Sequence, residues 1–482
     1  MTHCFFPRLV HLSLVSLALA GVVNAAAPTK QALPASNPYA AAIAAWEALP
    51  KEQRTRLHDA SYAQVSPATR NPTDDTPPLP SLAQATATPE TTAAVQAITQ
   101  ALRAGAQMPT VDWGIDMNQK PENIIFSHVG DMRRLSYIAL AQADQLVATD
   151  PQAAITLAAD TLAVARHAGA NNFLISRLTQ SALDGIVTNW IARRLPDLPS
   201  DAVSELQRRI ATFPDGGDWA ACFQNEKLIP ESILNQILDL VALAPAPESG
   251  LTARTLRMAG LLNDGKTVSI SLETTDLNFW IQTGQTRHGV RLVSVDLKRH
   301  QALLSYEGRL VQLQLEGRKL VDLDTIRVTL PEDHPLRKML EFLPGKHPED
   351  LPQTLFQWVT VTQEIMDYYD ALTASFDDFD FANSTALYER LSLAAKTLTM
   401  DMGSLQRTAA YEKIRSAQLT AALAAAATGK PPTDVIDPIT QKSFRITPTT
   451  TSNGTGYIIE SEFRPSPTRP TRLVIGPEPD KR

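Results

Sequence analysis

Residues 256–315 read LRMAGLLNDGKTVSISLETTDLNFWIQTGQTRHGVRLVSVDLKRHQALLSYEGRLVQLQL, and across them apolar residues recur every second position. TVSISL, NFWIQT, VRLVSV, QALLSY and LVQLQL each alternate apolar and polar side chains, and turn residues such as Asp264-Gly265 and Glu307-Gly308 separate them. Such alternation marks half-buried strands. Five or six strands within residues 252–320 imply a small barrel or sandwich set into a chain that is otherwise helical.

Outward from this stretch the helical period takes over. Ile125, Val129, Met132, Leu135, Ala139, Ala143 and Leu146 form one apolar stripe. Asp150-Pro151 ends that helix and opens the next, since proline is tolerated at a first helical position. Ile155, Ala158, Leu162 and Ala165 lead to Gly169, and a third helix carries Phe173, Leu174, Leu178, Ala182, Ile186 and Trp190. The ATDPQAA joint resembles the joint between helices of tetratricopeptide-like repeats, without a sustained repeat period. Helical signals return from Leu336 to Thr428, and KSFRIT with GYIIESEF forms a closing strand pair. The fold class is therefore α+β, mainly an α-helical hairpin array with an inserted small all-β barrel and a short C-terminal β-hairpin. In order, the expected parts are a signal peptide (1–25), a mostly disordered linker with a short helix near 39–60 (26–92), and a helical hairpin domain (93–250). The small barrel (251–330), a second helical block (331–430), the hairpin (431–463) and a Pro-rich tail (464–482) complete the chain.

The first residues carry an address. Arg8 precedes an apolar run from Leu9 to Val23 that ends in Val23-Asn24-Ala25, the form of a cleaved secretory signal peptide. Read instead as a retained anchor, the run would tether the protein to the inner membrane facing the periplasm. The expectation is export, with a periplasmic destination. Cys4 lies within the leader and Cys222 is the other cysteine, so the mature chain forms no internal disulfide. Cys222, in an apolar helical context, reads as a buried small hydrophobe.

A net charge of -7 without a basic cluster argues against a nucleic-acid partner. Gly260-Leu-Leu-Asn-Asp-Gly265-Lys266-Thr267 satisfies the phosphate-loop pattern. The residues after it alternate like a strand and open no helix, so Asp264-Gly265 reads as a hairpin turn and no nucleotide is expected. No G-x-S-x-G, S-x-x-K or H-E-x-x-H motif occurs. His58, His128, His167, His288, His300, His334 and His347 show no ligand spacing, and Asp367, Asp370, Asp377, Asp378 and Asp380 lack the frame of a calcium loop. Cofactors, metals and catalytic residues are accordingly assigned to none. Arg133-Arg134 with Asp131 and Asp184 reads as ion pairing rather than a polar site. A hydrolase whose residues meet only in three dimensions stays open, with His167, Arg177 and Asp184 as the set to watch.

The alternating segment resembles the periplasmic homology-region domain of the inner-membrane clamp protein of type II secretion. The likeness covers residues 254–316 and rests on Leu256 and Gly260, Trp280 and Ile281 with Gly284, then Gly289, Val290, Leu292, Val295, Leu304, Gly308, Leu313 and Leu315. That resemblance implies a small β-barrel that docks against a secretin channel, although that family sets the domain directly after a membrane anchor. Asp437-Pro438-Ile-Thr-Gln-Lys-Ser-Phe444-Arg-Ile446 with Gly456-Tyr457-Ile458-Ile459 resembles a pseudopilin ending. It is also similar to the ending of a set of uncharacterised exported bacterial helical-repeat proteins. Together these imply a cell-envelope interaction or scaffold protein with a protein partner, docking through Trp280, Ile281, Val290 and Leu292. A membrane partner is implied only if the N-terminal segment is retained.

Overall fold

The computed structural model describes residues 33–66, 81–115, 124, 126–213, 216–242, 256–262, 265–272, 277–306, 309–315, 326–332, 334–341, 347–399, 401–428, 430, 432, 435–451, 454–466 and 469–477. The expected signal peptide lies outside them. The helices are α1 (Ala40–Ala48), α2 (Lys51–Val65), α3 (Leu82–Ala85), α4 (Pro89–Ala106), α5 (Ser127–Leu146), α6 (Pro151–Gly169), α7 (Leu174–Arg194), α8 (Ser200–Ile210), α9 (Trp219–Glu226) and α10 (Leu228–Ala242). Next are strands β1 (Leu256–Leu261), β2 (Thr267–Leu272), β3 (Leu277–Gln282), β4 (Thr286–Arg287), β5 (Val290–Asp296), β6 (Gln301–Tyr306) and β7 (Arg309–Gln314). Then come α11 (Pro335–Glu341), α12 (Leu355–Ser375), α13 (Phe381–Glu389), α14 (Leu393–Leu398), α15 (Gly403–Thr428), β8 (Arg445–Thr451), β9 (Gly454–Ser466) and β10 (Arg469–Ile475). The α+β class is what the structure shows.

The chain forms two compact units, one from Met1–Glu226, Thr373–Ser384 and Met402–Arg482, the other from Lys227–Leu372 and Thr385–Asp401. At the centre of the first lies α6, with fourteen of its nineteen residues buried, which is why its apolar positions are not confined to one stripe. Ala154, Ala158, Ala159, Ala163, Ala165 and Ala168 are fully covered, and their small side chains let α4, α5, α7 and α8 pack close. The expected joint is present: Asp150 Oδ1 accepts the Ala153 N–H at 2.9 Å and Pro151 takes the first helical turn.

Two expectations for this unit are corrected. The short helix expected near 39–60 is present as α1 and α2, and the stretch expected to be linker also holds α3 and the start of α4, while residues 67–80 of that stretch lie outside the described residues. Tyr39, Trp46 and Leu57 are 0, 6 and 0% exposed, and α3 opens on a capping box between Ser81 and Gln84. Its Pro, Thr and Ala content supplies caps here rather than slack: Thr88 caps α4, with Pro89 in its first turn. The hairpin and Pro-rich tail likewise form one antiparallel sheet, β10-β9-β8. Pro448 sits on the edge strand β8, and Pro470 falls where the β9–β10 register shifts, the positions at which a strand tolerates proline. Gln418 of α15 donates to the carbonyls of Ile459 and Thr471 at 3.0 and 3.3 Å, tying this sheet to the helices. Asp437 of the DP motif is buried, accepts from the N–H groups of Ile439 and Thr440, and receives the Ser461 hydroxyl. The motif is thus a turn that anchors β9.

In the second unit seven strands form two sheets, β1-β2-β3 and β4-β5-β6-β7. Met258, Ile270, Phe279, Ile281, Val290, Leu292, Leu304 and Leu313 share one core between them. Among the described residues the two sheets are not joined by a ladder, so a closed barrel is not what forms. The phosphate-loop pattern is a hairpin: Gly260 lies in β1, Thr267 opens β2, and Gly265 has φ of +67°. The Leu262 N–H donates to the Thr267 carbonyl at 3.0 Å, which leaves no helix N-terminus to hold a phosphate.

Candidate functional site

Of the four residues expected to dock a partner, one is available. Trp280 is 47% exposed, whereas Ile281, Val290 and Leu292 are 1, 0 and 0% exposed in the inter-sheet core. The reason is the pleat: neighbours Trp280 and Ile281 point to opposite faces. Trp280 lies on the outer face across Ser269, its β2 partner, toward Gly260 on β1. A Cβ on Gly260 would sit 3.2 Å from Trp280 Cη2, so the glycine makes room for the indole. Leu262 and Leu297 are also exposed, at 44 and 39%, and Leu297 packs against Gly265 at the hairpin tip.

Within the helical unit, α6, α7, α8 and α15 enclose a cleft of about 250 Å³. Arg177 of α7 reaches Glu412 of α15, with Nη1 to Oε1 at 3.2 Å and a second, short bond from Nη2 to Oε2. The guanidinium also stacks on Trp219, 4.6 Å from the ring centre, and the Trp219 indole N–H donates to Glu412 at 3.3 Å. This clamp is held from behind, because a Cβ on Gly217 would strike the Gly169 carbonyl at 2.3 Å and the Arg177 stem at 3.0 Å. Asp184, two turns further along α7, faces Arg166 of α6 at 3.4 Å. Burial pushes its carboxyl up to about 6; Arg166 pulls it down and the Glu412 charge raises it. Asp184 Oδ1 and Arg177 Nε are buried with no hydrogen-bond partner among the described residues. Arg415 donates to the Arg472 carbonyl at 2.8 Å and to Asn189.

Of the watched set, the cleft gathers Arg177 and Asp184 but not His167. His167 Nε2 lies 2.9 Å from the Met108 carbonyl, which can only accept, so Nε2 carries the proton and Nδ1 accepts from the Tyr39 hydroxyl at 2.7 Å. Both ring nitrogens are occupied, and burial lowers the pKa of this neutral imidazole. His128 stacks on Trp113 at 4.3 Å, and burial takes its pKa down to about 4. Arg134 pairs with Asp131 at 2.9 Å while Asp184 pairs with Arg166, so no shared site forms there. Cys222 is fully buried and burial pushes its thiol up, away from nucleophilic behaviour. Three of the five carboxylates in the acidic run are paired, Asp370 with Lys227, Asp367 with Arg291 and Asp377 with Lys413, while Asp380 accepts the Asn383 N–H. No group of three metal-ligating side chains occurs among the described residues. Nor is any described helix long and apolar enough to cross a membrane.

Sequence spacing missed Glu412 and Gly185, because the cleft joins residues 235 positions apart. Compared with known proteins, the chain matches no family model, no curated protein and no solved structure.

Proposed function

We propose that the protein is an exported cell-envelope scaffold that binds another envelope protein through the outer face of the β1-β2-β3 sheet. The observation that carries this reading is Trp280. A tryptophan laid over small residues and half open to solvent presents a large rigid surface, the kind of side chain that dominates protein interfaces. Leu262 and Leu297 extend the apolar surface of the same module. The resemblance of residues 254–316 to the secretion-clamp domain makes the periplasmic part of a secretin the partner of choice. An uninterrupted module is not needed for this: a sheet face suffices where a barrel was expected. The hydrolytic alternative loses support from His167, whose nitrogens are both engaged outside the cleft.

The test is binding of purified secretin periplasmic domains to the protein and to Trp280→Ala. A partner lost in Trp280→Ala, with the thermal transition unchanged, supports the reading. Equal binding by both proteins, or none by either, overturns it.

A further inference from the structure

We propose that the cleft over Gly185 is a binding site for a medium-chain carboxylate amphiphile. The argument begins with a glycine that packing does not require. Gly169, Gly216 and Gly217 each have a neighbour within 2.4 Å of where a Cβ would stand. Around a Cβ on Gly185 nothing among the described residues, apart from its chain neighbours and the backbone of its own helix, lies within 4 Å. A glycine inside a helix destabilises it relative to alanine, and Gly185 has no close neighbour to explain its presence. What its missing side chain leaves is the open wall of the cleft.

The lining is graded. Along α15 it passes from Glu412 and Arg415 to Leu419 and Leu423, about 16 Å at 1.5 Å per residue. Leu162 of α6 and Ile210 of α8 add to the apolar lining. Four cations, Arg166, Arg177, Lys413 and Arg415, line the cleft beside two carboxylates, Asp184 and Glu412, and with Asp377 pairing Lys413 from outside the lining the balance is one positive charge, so its field favours an anion. Arg177, whose side chain is 9% exposed, has no acceptor for its Nε–H among the described residues, although both terminal nitrogens hold Glu412. A buried donor left unmet costs free energy that an incoming oxygen recovers. The size agrees: about 250 Å³ equals roughly eight waters' share of liquid, room for a head group and a short alkyl chain. An apolar chain paired with one negative head is the chemistry that matches both halves of this lining.

Calorimetric titration of the full chain with octanoate, acetate and octyltrimethylammonium tests this. Octanoate binds, acetate and the cation bind at least tenfold more weakly, and Gly185→Leu loses octanoate at least tenfold. Gly185→Ala, which adds one methyl where space is open, keeps the fold and melts no lower than the parent, and circular dichroism establishes that Gly185→Leu is folded. Absence of octanoate binding to the parent chain overturns the proposal. So does octanoate binding that the folded Gly185→Leu variant retains. Equal binding of acetate or of the cation refutes the amphiphile or the anion, respectively.

Discussion

Glu226 ends α9 with 6% of its surface exposed, accepting the Leu174 N–H that opens α7 at 3.1 Å. Burial raises its pKa from 4.5 to about 7, the Leu174 bond opposing that rise only in part. In the unfolded chain the group ionises near 4.5, whereas in the fold it holds its proton to about 7. Between those values the folded state binds more protons, so stability falls as pH rises through the window and is lowest above it. At about 1.4 kcal/mol per pH unit the accumulated penalty is about 3 kcal/mol at pH 8. Glu226→Gln keeps an oxygen for the Leu174 N–H and removes the ionisation. The variant is therefore expected to be more stable than the parent by up to about 3 kcal/mol at pH 8 and little changed at pH 4. For a unit of this size that is on the order of 5 °C in melting temperature. Calorimetric melts of both proteins from pH 4 to pH 8 check it. A difference that stays constant across the range would refute the reasoning, because it would mean that Glu226 does not change its charge inside the fold.

His128 is expected to act in the opposite sense. Its folded pKa of about 4 lies below the ordinary 6.5, so the unfolded state takes up the proton first and stability is lost as pH falls through that window, by about 3 kcal/mol in total. A His128→Asn variant should show a shallower acid-side loss in the same melts, and an unchanged slope would contradict this. Tyr39→Phe leaves His167 Nδ1 buried without its donor and should cost about 1–3 kcal/mol in chemical denaturation. Gly265→Ala should cost about 1 kcal/mol, because its φ of +67° is strained for any residue with a side chain, while Lys266→Ala should bind ATP no differently from a parent that binds none.

How much of the fold is legible depends on how local the signal is. The Asp150-Pro151 joint, the helix stripes and the alternating strands arise from neighbours within a few residues, and the structure keeps them. The turn at Gly265 is readable for the same reason, because Thr267 to Leu272 alternate as a strand directly after it. Composition misleads where prolines occupy caps and strand edges: Pro89 starts a helix, and Pro448 and Pro470 sit in strands at places where no inner ladder bond is lost. The docking residues fail on orientation, since alternation says that Trp280 and Ile281 face apart but not which one faces solvent. The cleft is out of reach altogether. Arg177 and Asp184 stand out as charged residues in a helical pattern, but Glu412 meets them only through tertiary packing.

The order in which the helical unit is laid down also has a consequence. Its core includes Ile459, Leu473 and Ile475, and the Gly476 N–H closes onto the Ala192 carbonyl at 3.0 Å. During synthesis, α7 leaves the ribosome with its covering strand still more than 270 codons from translation, because Ala192 and Leu473 are so far apart in the chain. The unit therefore waits, with an uncovered face, while more than 270 further residues are made before the strands that cover α7 exist. A nascent chain of that kind remains open to chaperones, and to any translocation machinery that demands an unfolded substrate, until those strands have emerged.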